Sequence, residues 1–340
     1  MMKRIVELLR GAGKVLAIAH ARPDGDALGC LSALVLCARA AGRQAEGLVP
    51  DRVPVQYQFL FEGWSATQRP APPGPASLPA GADRFAPLAE WADLVVVLDA
   101  CTRSQLGAVA AGVVECRAKA VAIDHHATVE DLCAVQWIDP TAAATGVLVG
   151  EALDALGWPL PLPAAEALTT AVTTDTGWLR FANTDARCLA AVGKWISAGV
   201  RPDRLYHKLY QCDSPQRLRL IARMLGSLEL SCEGRLACMV LRNADFDAIG
   251  ALREETENLV NEALRIGTVE SVVLVTENPD CIRVSLRSRG EIDVAKVAQR
   301  FGGGGHPRAS GIRIPGDVDQ IKRRVQAACA EALAERPLTG

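Results

Sequence analysis

The chain has 340 residues, a length that favours two domains over one. Hydrophobic residues make up 49% and the formal net charge is −2, so the chain lacks the basic excess of proteins that bind long nucleic acids. No apolar run reaches the roughly 18 residues of a membrane span, and residues 1–14 lack a signal-peptide core. The eleven cysteines are scattered without a CxxC pair, as in reducing compartments. We therefore expect a cytoplasmic α/β protein.

The first half of the chain alternates short apolar runs with helical patterns, which predicts a parallel sheet covered by helices. Strands are predicted at 15–20, 45–49, 94–99 and 120–126, and helices at 27–41, 164–173 and 185–198. The segment 65–82, rich in Pro, Ala and Gly, is predicted to be a loop.

The second half predicts a smaller α/β domain. Strands are predicted at 236–241, 271–277 and 281–288, and helices at 255–266, 294–301 and 318–335. A charged helical stretch precedes them. The predicted boundaries are therefore 1–198 for the first domain, 199–230 for a helical connector and 231–336 for the second domain.

Three strands of the first domain end in side chains that can bind metal ions. A single Asp at such a place usually caps a helix or lies in a loop. Here three strand ends carry the same residue types, and the carboxyl ends of parallel strands share one edge of a sheet, so we expect these groups to converge. The candidates are His20, Asp24, Asp26, Asp99, Asp124, His125 and His126, with Asp175 as a further contributor.

These candidates are carboxylates and imidazoles without cysteine. Such a set favours Mn²⁺, with Mg²⁺, Co²⁺ or Zn²⁺ as alternatives. Crowded carboxylates repel one another unless cations neutralise them, which favours two ions that share a bridging Asp. Two ions about 3.5–4 Å apart can activate water and stabilise a phosphoryl displacement. The predicted reaction is hydrolysis of a phosphoester or phosphoanhydride.

A glycine run, GGGGH at 302–306, is the second feature with chemical content. An isolated run of this kind is usually a flexible turn. Here it is followed by Arg308 and preceded by a strand that ends with Arg287 and Ser288, and consecutive glycines let backbone N–H groups approach a phosphate. We therefore expect a phosphate or nucleotide pocket in the second domain.

The motifs HARPDGDALG (20–29), VLDA (97–100), IDHH (123–126) and TTDTG (173–177) resemble those of the DHH family of phosphoesterases. SLRS (285–288) and FGGGGHPRASG (301–311) resemble the substrate-binding DHHA1 domain. The resemblance covers nearly the whole chain in the expected order. It implies a parallel-sheet DHH domain with helices on both faces, a smaller α/β DHHA1 domain, and an active site in the cleft between them.

The resemblance also implies roles for individual residues. His20, Asp24 and Asp99 would bind one Mn²⁺, and Asp26, Asp99, His125 and Asp175 the other. Asp124 would orient an imidazole, and His126 would face the substrate phosphate and assist proton transfer. The implied substrate-binding residues are Arg287, Ser288, Gly304, Gly305, His306 and Arg308.

Within the family, the chain is similar to the small nanoRNase type. This implies an exonuclease, acting 3′–5′ or 5′–3′, on RNA or DNA oligonucleotides of a few residues, and also a phosphatase on 3′-phosphoadenosine 5′-phosphate. Homodimerisation is a family-level expectation. Two alternatives stay open. One is a cyclic or linear dinucleotide phosphodiesterase in signalling, and the other is a nucleotide-binding regulatory protein without catalysis.

Overall fold

The computed structural model describes residues 1–66, 81–290 and 292–335. The chain divides into two compact units, Met1–Cys212 and Asp213–Gly340. The boundary between them lies within the segment 199–230, where the sequence predicts a connector. Most of the predicted loop at 65–82 lies outside the described residues.

Unit 1 contains a parallel sheet of five strands in the order β2-β1-β3-β4-β5, within the described part of the chain. The strands are β1 Lys14–Ile18, β2 Gln44–Leu48, β3 Leu94–Leu98, β4 Ala120–Asp124 and β5 Val135–Ile138. The first four confirm the predicted strands, each with a shift of one or two residues at its ends. The sequence analysis missed β5, which is only half-buried along its length.

Helices cover both faces of this sheet, as predicted. They are α1 Met2–Gly11, α2 Gly25–Ala40, α3 Phe85–Trp91, α4 Arg103–Leu106, α5 Ala110–Glu115, α6 Thr145–Leu156, α7 Leu162–Asp175, α8 Ala186–Ser197 and α9 Pro202–Tyr210, with 3-10 segments at Val55–Ala66, Ala82–Arg84, Gly107–Val109 and Arg117–Lys119. Alternate residues of β1 enter opposite cores: Val15 and Ala17 pack in one, Leu16 and Ile18 in the other.

Unit 2 contains a mixed sheet of six strands in the order β10-β11-β9-β8-β7-β6 among the residues described. The strands are β6 Glu229–Ser231, β7 Leu236–Leu241, β8 Ser271–Glu277, β9 Ile282–Ser288, β10 Gly304–His306 and β11 Ala309–Ile314. The helices are α10 Pro215–Gly226, α11 Asn243–Ile249, α12 Val294–Gln299 and α13 Val318–Ala334. Helices α12 and α13 pack on the face that carries Val284 and Leu286. No helix in the described ranges is long and apolar enough to cross a membrane.

The predicted helix at 255–266 is wrong. The structure has two 3-10 segments there, Arg253–Thr256 and Leu259–Arg265, separated by Asn258 at a φ of 63°. Arg217 donates to the carbonyl oxygens of Glu255 and Glu257, so a side chain from α10 satisfies groups that an α-helix would have used. The apolar residues of the segment still face the core, because a spacing of three suits a 3-10 helix as well.

Candidate active site

The strand order brings the predicted metal-binding side chains of unit 1 to one edge of the sheet. Strands β1, β3 and β4 are parallel neighbours, and His20, Asp99 and the run 124–126 lie at their carboxyl ends. Asp24 precedes α2 and accepts from the N–H groups of Asp26 and Ala27, both at 3.1 Å. Asp24 therefore does cap a helix, and it also lies beside His20 and Asp99.

The first cluster consists of His20, Asp24 and Asp99, with potential ligand atoms all within 4.8 Å of one another. Nε2 of His20 lies 3.4 Å from Oδ2 of Asp99 and 3.7 Å from Oδ1 of Asp24. Nδ1 of His20 lies 2.7 Å from the carbonyl oxygen of Ala21, which holds the ring with Nε2 toward the carboxylates. Burial opposes protonation of His20, but Asp24 and Asp99 raise its pKa to about 11.

The second cluster consists of Asp26, His125 and Asp175. Nε2 of His125 lies 3.5 Å from Oδ2 of Asp175, 3.9 Å from Oδ2 of Asp26 and 3.8 Å from Oδ1 of Asp99. Nδ1 of His125 lies 3.2 Å from the carbonyl oxygen of Ala142. Asp99 thus lies between the clusters, with Oδ2 toward His20 and Oδ1 toward His125.

Burial and mutual repulsion make it unfavourable for these carboxylates to be ionised. Asp26 and Asp99 are each only 1% exposed. Burial raises the pKa of Asp26, and the charges of Asp99 and Asp175 raise it further. Burial also raises the pKa of Asp175, to about 6. A bound cation would favour the ionised form of all these carboxylates, and their oxygen and imidazole donors suit divalent ions such as Mn²⁺.

Asp124 and His126 form a hydrogen-bonded pair beside the two clusters. His126 also forms a third group of potential ligands with Asp99 and His125, and its Nδ1 lies 3.7 Å from Oδ1 of Asp99. Oδ1 of Asp124 lies 2.7 Å from Nδ1 of His126 and accepts from the backbone N–H groups of His125 and His126. Burial opposes ionisation of Asp124, but the bond with His126 lowers its pKa. The same bond raises the pKa of His126 to about 9. The ring of His126 is 43% exposed, so its other nitrogen is available to a ligand.

The sequence analysis missed a contribution from the first turn of α6. The N–H groups of Thr145 and Gly146 donate to the two oxygens of Asp26 at 2.7 and 2.9 Å. Oγ1 of Thr145 donates to Oδ1 of Asp99 at 2.8 Å, so this residue contacts an acid of each cluster. The signal in the sequence is the pair Thr145–Gly146 directly before the apolar run VLVGEAL, which predicts a helix start at that position.

All the predicted substrate-binding residues lie in unit 2, in or beside β9, β10 and β11. Arg287 pairs with Ala309, which pairs with His306, so Arg287 and His306 lie in one cross-strand row. Ser288 is the next residue along β9, so its side chain points to the opposite face, where it is 5% exposed. Arg308 is exposed in the turn between β10 and β11.

The glycine run is not the flexible turn that an isolated run of this kind would be. Residues Gly304–His306 form β10, and the glycines permit close backbone approach. A Cβ on Gly303 would lie 2.3 Å from the carbonyl oxygen of Gly311, and one on Gly305 would lie 2.6 Å from that of Ala309. Gly305 also has a φ of 140°, which L side chains rarely adopt. Two of the glycines are therefore required by strand packing.

The chain matches known proteins over nearly its whole length. Residues 14–172 match the DHH family, N-terminal domain, and residues 241–332 match the DHHA1 domain. The chain is 28% identical over 336 residues to the bifunctional oligoribonuclease and PAP phosphatase NrnA of Thermus thermophilus, covering 98% of this chain and 94% of that protein. It is also 28% identical to the NrnA of Bacillus subtilis over 219 residues, 63% of this chain and 69% of that protein.

A solved structure shows the same fold. An exopolyphosphatase-related protein from Bacteroides fragilis superposes with a TM-score of 0.85 at 25% identity, covering 98% of this chain and 95% of that one. Both domains are therefore present in the order that the motifs predict. The chain belongs to the DHH family, with an N-terminal DHH domain followed by a DHHA1 domain, and it is a hydrolase of phosphoester bonds.

Proposed function

We propose that this protein is a two-metal exonuclease that releases mononucleotides from oligonucleotides of a few residues. The observation that carries the proposal is the position of Asp99, whose two carboxylate oxygens face two different clusters of ligand atoms. That arrangement suits a carboxylate that bridges two divalent cations, with Mn²⁺ favoured by the oxygen and imidazole donors.

The residues that would hold the ions divide as the clusters do. His20, Asp24 and Asp99 would hold one, and Asp99, Asp26, His125 and Asp175 the other. Bound there, divalent ions would lower the pKa of water and stabilise charge on the phosphoryl oxygens. Thr145 would orient Asp99 through its hydroxyl, as partners of metal ligands commonly do.

His126 would supply the proton transfer. Its Nδ1 is held by Asp124, so the opposite ring nitrogen would face the substrate. The hydrogen bond with Asp124 raises the pKa of His126, which favours the protonated ring that can donate a proton to the leaving oxygen. Asp124 would stabilise the protonated ring and fix its orientation.

The substrate class is supported by the relative that matches 98% of this chain, which is named an oligoribonuclease and PAP phosphatase. We extend both activities to this protein. Short single-stranded oligonucleotides and 3′-phosphoadenosine 5′-phosphate are then its substrates. The net charge of −2 fits such small ligands better than a long strand bound through many phosphates.

The test is a product time course with purified protein and Mn²⁺. The substrates are a 5′-phosphorylated dinucleotide, a longer single strand, 3′-phosphoadenosine 5′-phosphate, cyclic di-AMP and pyrophosphate. We expect fast mononucleotide release from the dinucleotide and slow attack on the longer strand. Turnover of cyclic di-AMP or pyrophosphate alone would overturn the substrate assignment but leave the metal chemistry standing.

The role of Asp99 is tested by replacing it. Asp99→Ala should abolish hydrolysis of every substrate, because both clusters lose the shared carboxylate. Asp99→Asn keeps an oxygen that can accept from the Thr145 hydroxyl, so it removes the charge but retains this buried contact. Loss of activity in this variant as well would therefore not be explained by misfolding. Asp131→Ala is the matched control, since that carboxylate is 76% exposed, pairs with Arg117 and belongs to neither cluster. Near-normal hydrolysis by Asp99→Ala would refute the two-metal mechanism.

A further inference from the structure

Among the residues that the structure describes, the apolar core covers one face of the unit 2 sheet over only part of its width. The face that carries Val272 and Leu274 of β8 is buried under an apolar core. The register continues that face onto β9 at Arg287, Ser285 and Arg283, which are half-buried or exposed. The β9–β11 part of this face therefore presents polar side chains where β8 presents apolar ones.

Two arginines lie directly opposite each other on this open part of the sheet. Arg283 of β9 pairs in register with Arg313 of β11, and both side chains are exposed. Like charges at paired positions of a sheet destabilise it. Burial lowers the pKa of the neighbouring Arg287, and the charge of Arg283 lowers it further, so Arg287 is close enough to be affected by this charge.

No carboxylate in the described ranges pairs with either arginine, although unit 2 pairs many of its other arginines. Arg235 pairs with Glu270 at 2.7 Å, Arg242 with Asp319 at 2.6 Å and Arg300 with Glu331 at 2.9 Å. The Arg283–Arg313 pair thus leaves two positive charges side by side without a counter-charge among these residues. An anionic ligand would relieve that repulsion.

The pair borders a cavity of about 410 Å³. The rest of its wall is mostly glycine, at positions 302–304 and 311. Gly304 pairs with Gly311 across β10 and β11, so this stretch of the wall has backbone but no side chains. The volume is within the range of small-molecule sites, and glycines let a ligand approach the backbone closely.

We propose that Arg283 and Arg313 form a subsite for a second phosphate group of the nucleotide substrate, beside the first phosphate held at Arg287 and His306. This inference rests on the proposed function for the identity of the ligand. Arg283 and Arg287 are four residues apart on one strand, about 13 Å at 3.3 Å per residue. Both side chains are long and extend from the same face, so they can reach toward two phosphates separated by one nucleoside, as in a 3′,5′-bisphosphate or a 5′-phosphorylated dinucleotide. A monophosphate would occupy only the first position.

The test compares ligands with one and two phosphates. Affinities of the full chain, kept free of metal with a chelator so that nothing is hydrolysed, are measured by calorimetry for AMP, 3′-phosphoadenosine 5′-phosphate and the dinucleotide pApA. In the double variant Arg283→Gln/Arg313→Gln, we expect the affinity for the two ligands with two phosphates to fall by about tenfold or more, because charged hydrogen bonds are lost. Affinity for AMP should change far less.

Arg323→Gln is the matched control, because it removes an exposed arginine from α13, which packs on the other face of the sheet. It should leave all three affinities unchanged. The double variant should unfold at the same or a higher denaturant concentration than the unchanged protein, since a like-charge pair has been removed. An equal loss of affinity for AMP and for the two ligands with two phosphates, or no loss of affinity at all, would overturn the subsite.

If the metal-free protein binds none of the three ligands measurably, the KM for pApA with Mn²⁺ replaces the affinity. The subsite then requires a higher KM in the double variant, and an unchanged KM refutes it. The proposed function fails separately, when the unchanged protein hydrolyses no oligonucleotide. Selective loss of bisphosphate binding in that case would still support the subsite.

Discussion

The hydroxyl of Thr145 connects α6 to the carboxylates that are proposed to bind metal. It donates to Oδ1 of Asp99 at 2.8 Å, while the backbone N–H of the same residue donates to Asp26 at 2.7 Å. The side chain is fully buried, so bulk solvent does not compete for this hydrogen bond. Asp99 itself has a φ of 59°, a conformation that non-glycine residues rarely adopt and that is characteristic of functional sites.

Replacing Thr145 by Val removes the hydroxyl and keeps the shape of the side chain. We expect the Mn²⁺ concentration for half-maximal activity to rise about 10- to 100-fold, because Asp99 loses the group that orients it. The measurement is a metal titration of the hydrolysis rate. Thr145→Ser retains the hydroxyl and should stay close to the unchanged protein. A Val variant with the same metal dependence would show that Thr145 only packs.

At the scale of elements, α2 and α7 approach each other through residues without large side chains. A Cβ on Gly29 of α2 would lie 2.4 Å from the carbonyl oxygen of Ala167 and 2.9 Å from the Cβ of Ala171, both in α7. Gly146 of α6 meets Ala171 in the same way, at 2.6 Å. Since Asp26 lies in the first turn of α2 and Asp175 ends α7, this close packing brings two acids of one cluster together.

The substitution Gly29→Ala should lower the free energy of unfolding by about 1–3 kcal/mol, the usual cost of overpacking a tight contact. Gly193→Ala in α8 is the matched comparison, because a Cβ there meets nothing within 4 Å. It should raise the free energy of unfolding by about 0.5–1 kcal/mol through helix propensity alone. Urea unfolding curves of the two variants check both signs. A Gly29→Ala protein as stable as Gly193→Ala would show that the two helices separate without cost.

For the whole molecule, the ligand clusters found among the described residues all lie in unit 1. Divalent metal should therefore stabilise that unit specifically. At a free Mn²⁺ concentration 100 times the dissociation constant, the gain is about 2.7 kcal/mol by mass action.

Hydrogen exchange with and without Mn²⁺ checks this expectation. Protection should rise at β1, β3 and β4, whose carboxyl ends lead to the clusters, and the rise should disappear in Asp99→Asn. A rise confined to the strands of unit 2, or no rise anywhere with catalysis intact, would place the metal elsewhere.

Local patterns in the chain were enough to predict the strands β1–β4, the two-domain order and the residues that collect at the sheet edge. The reason is that a buried parallel strand requires a short apolar run, and residues just after such a run lie at the carboxyl edge. The same local reasoning could have assigned Arg287 and Ser288 to opposite faces of the sheet, because neighbouring residues of a strand point to opposite sides.

Only the tertiary structure decided which groups meet across long stretches of chain. Thr145 follows Asp99 by 46 residues and Asp26 by 119, and no local pattern predicts those contacts. The 3-10 geometry near Asn258 depends on Arg217, a residue of another helix. The pairing of Arg283 with Arg313 depends on the register between β9 and β11. In each case the interaction is made with a residue distant in sequence, so local sequence preferences could not predict it.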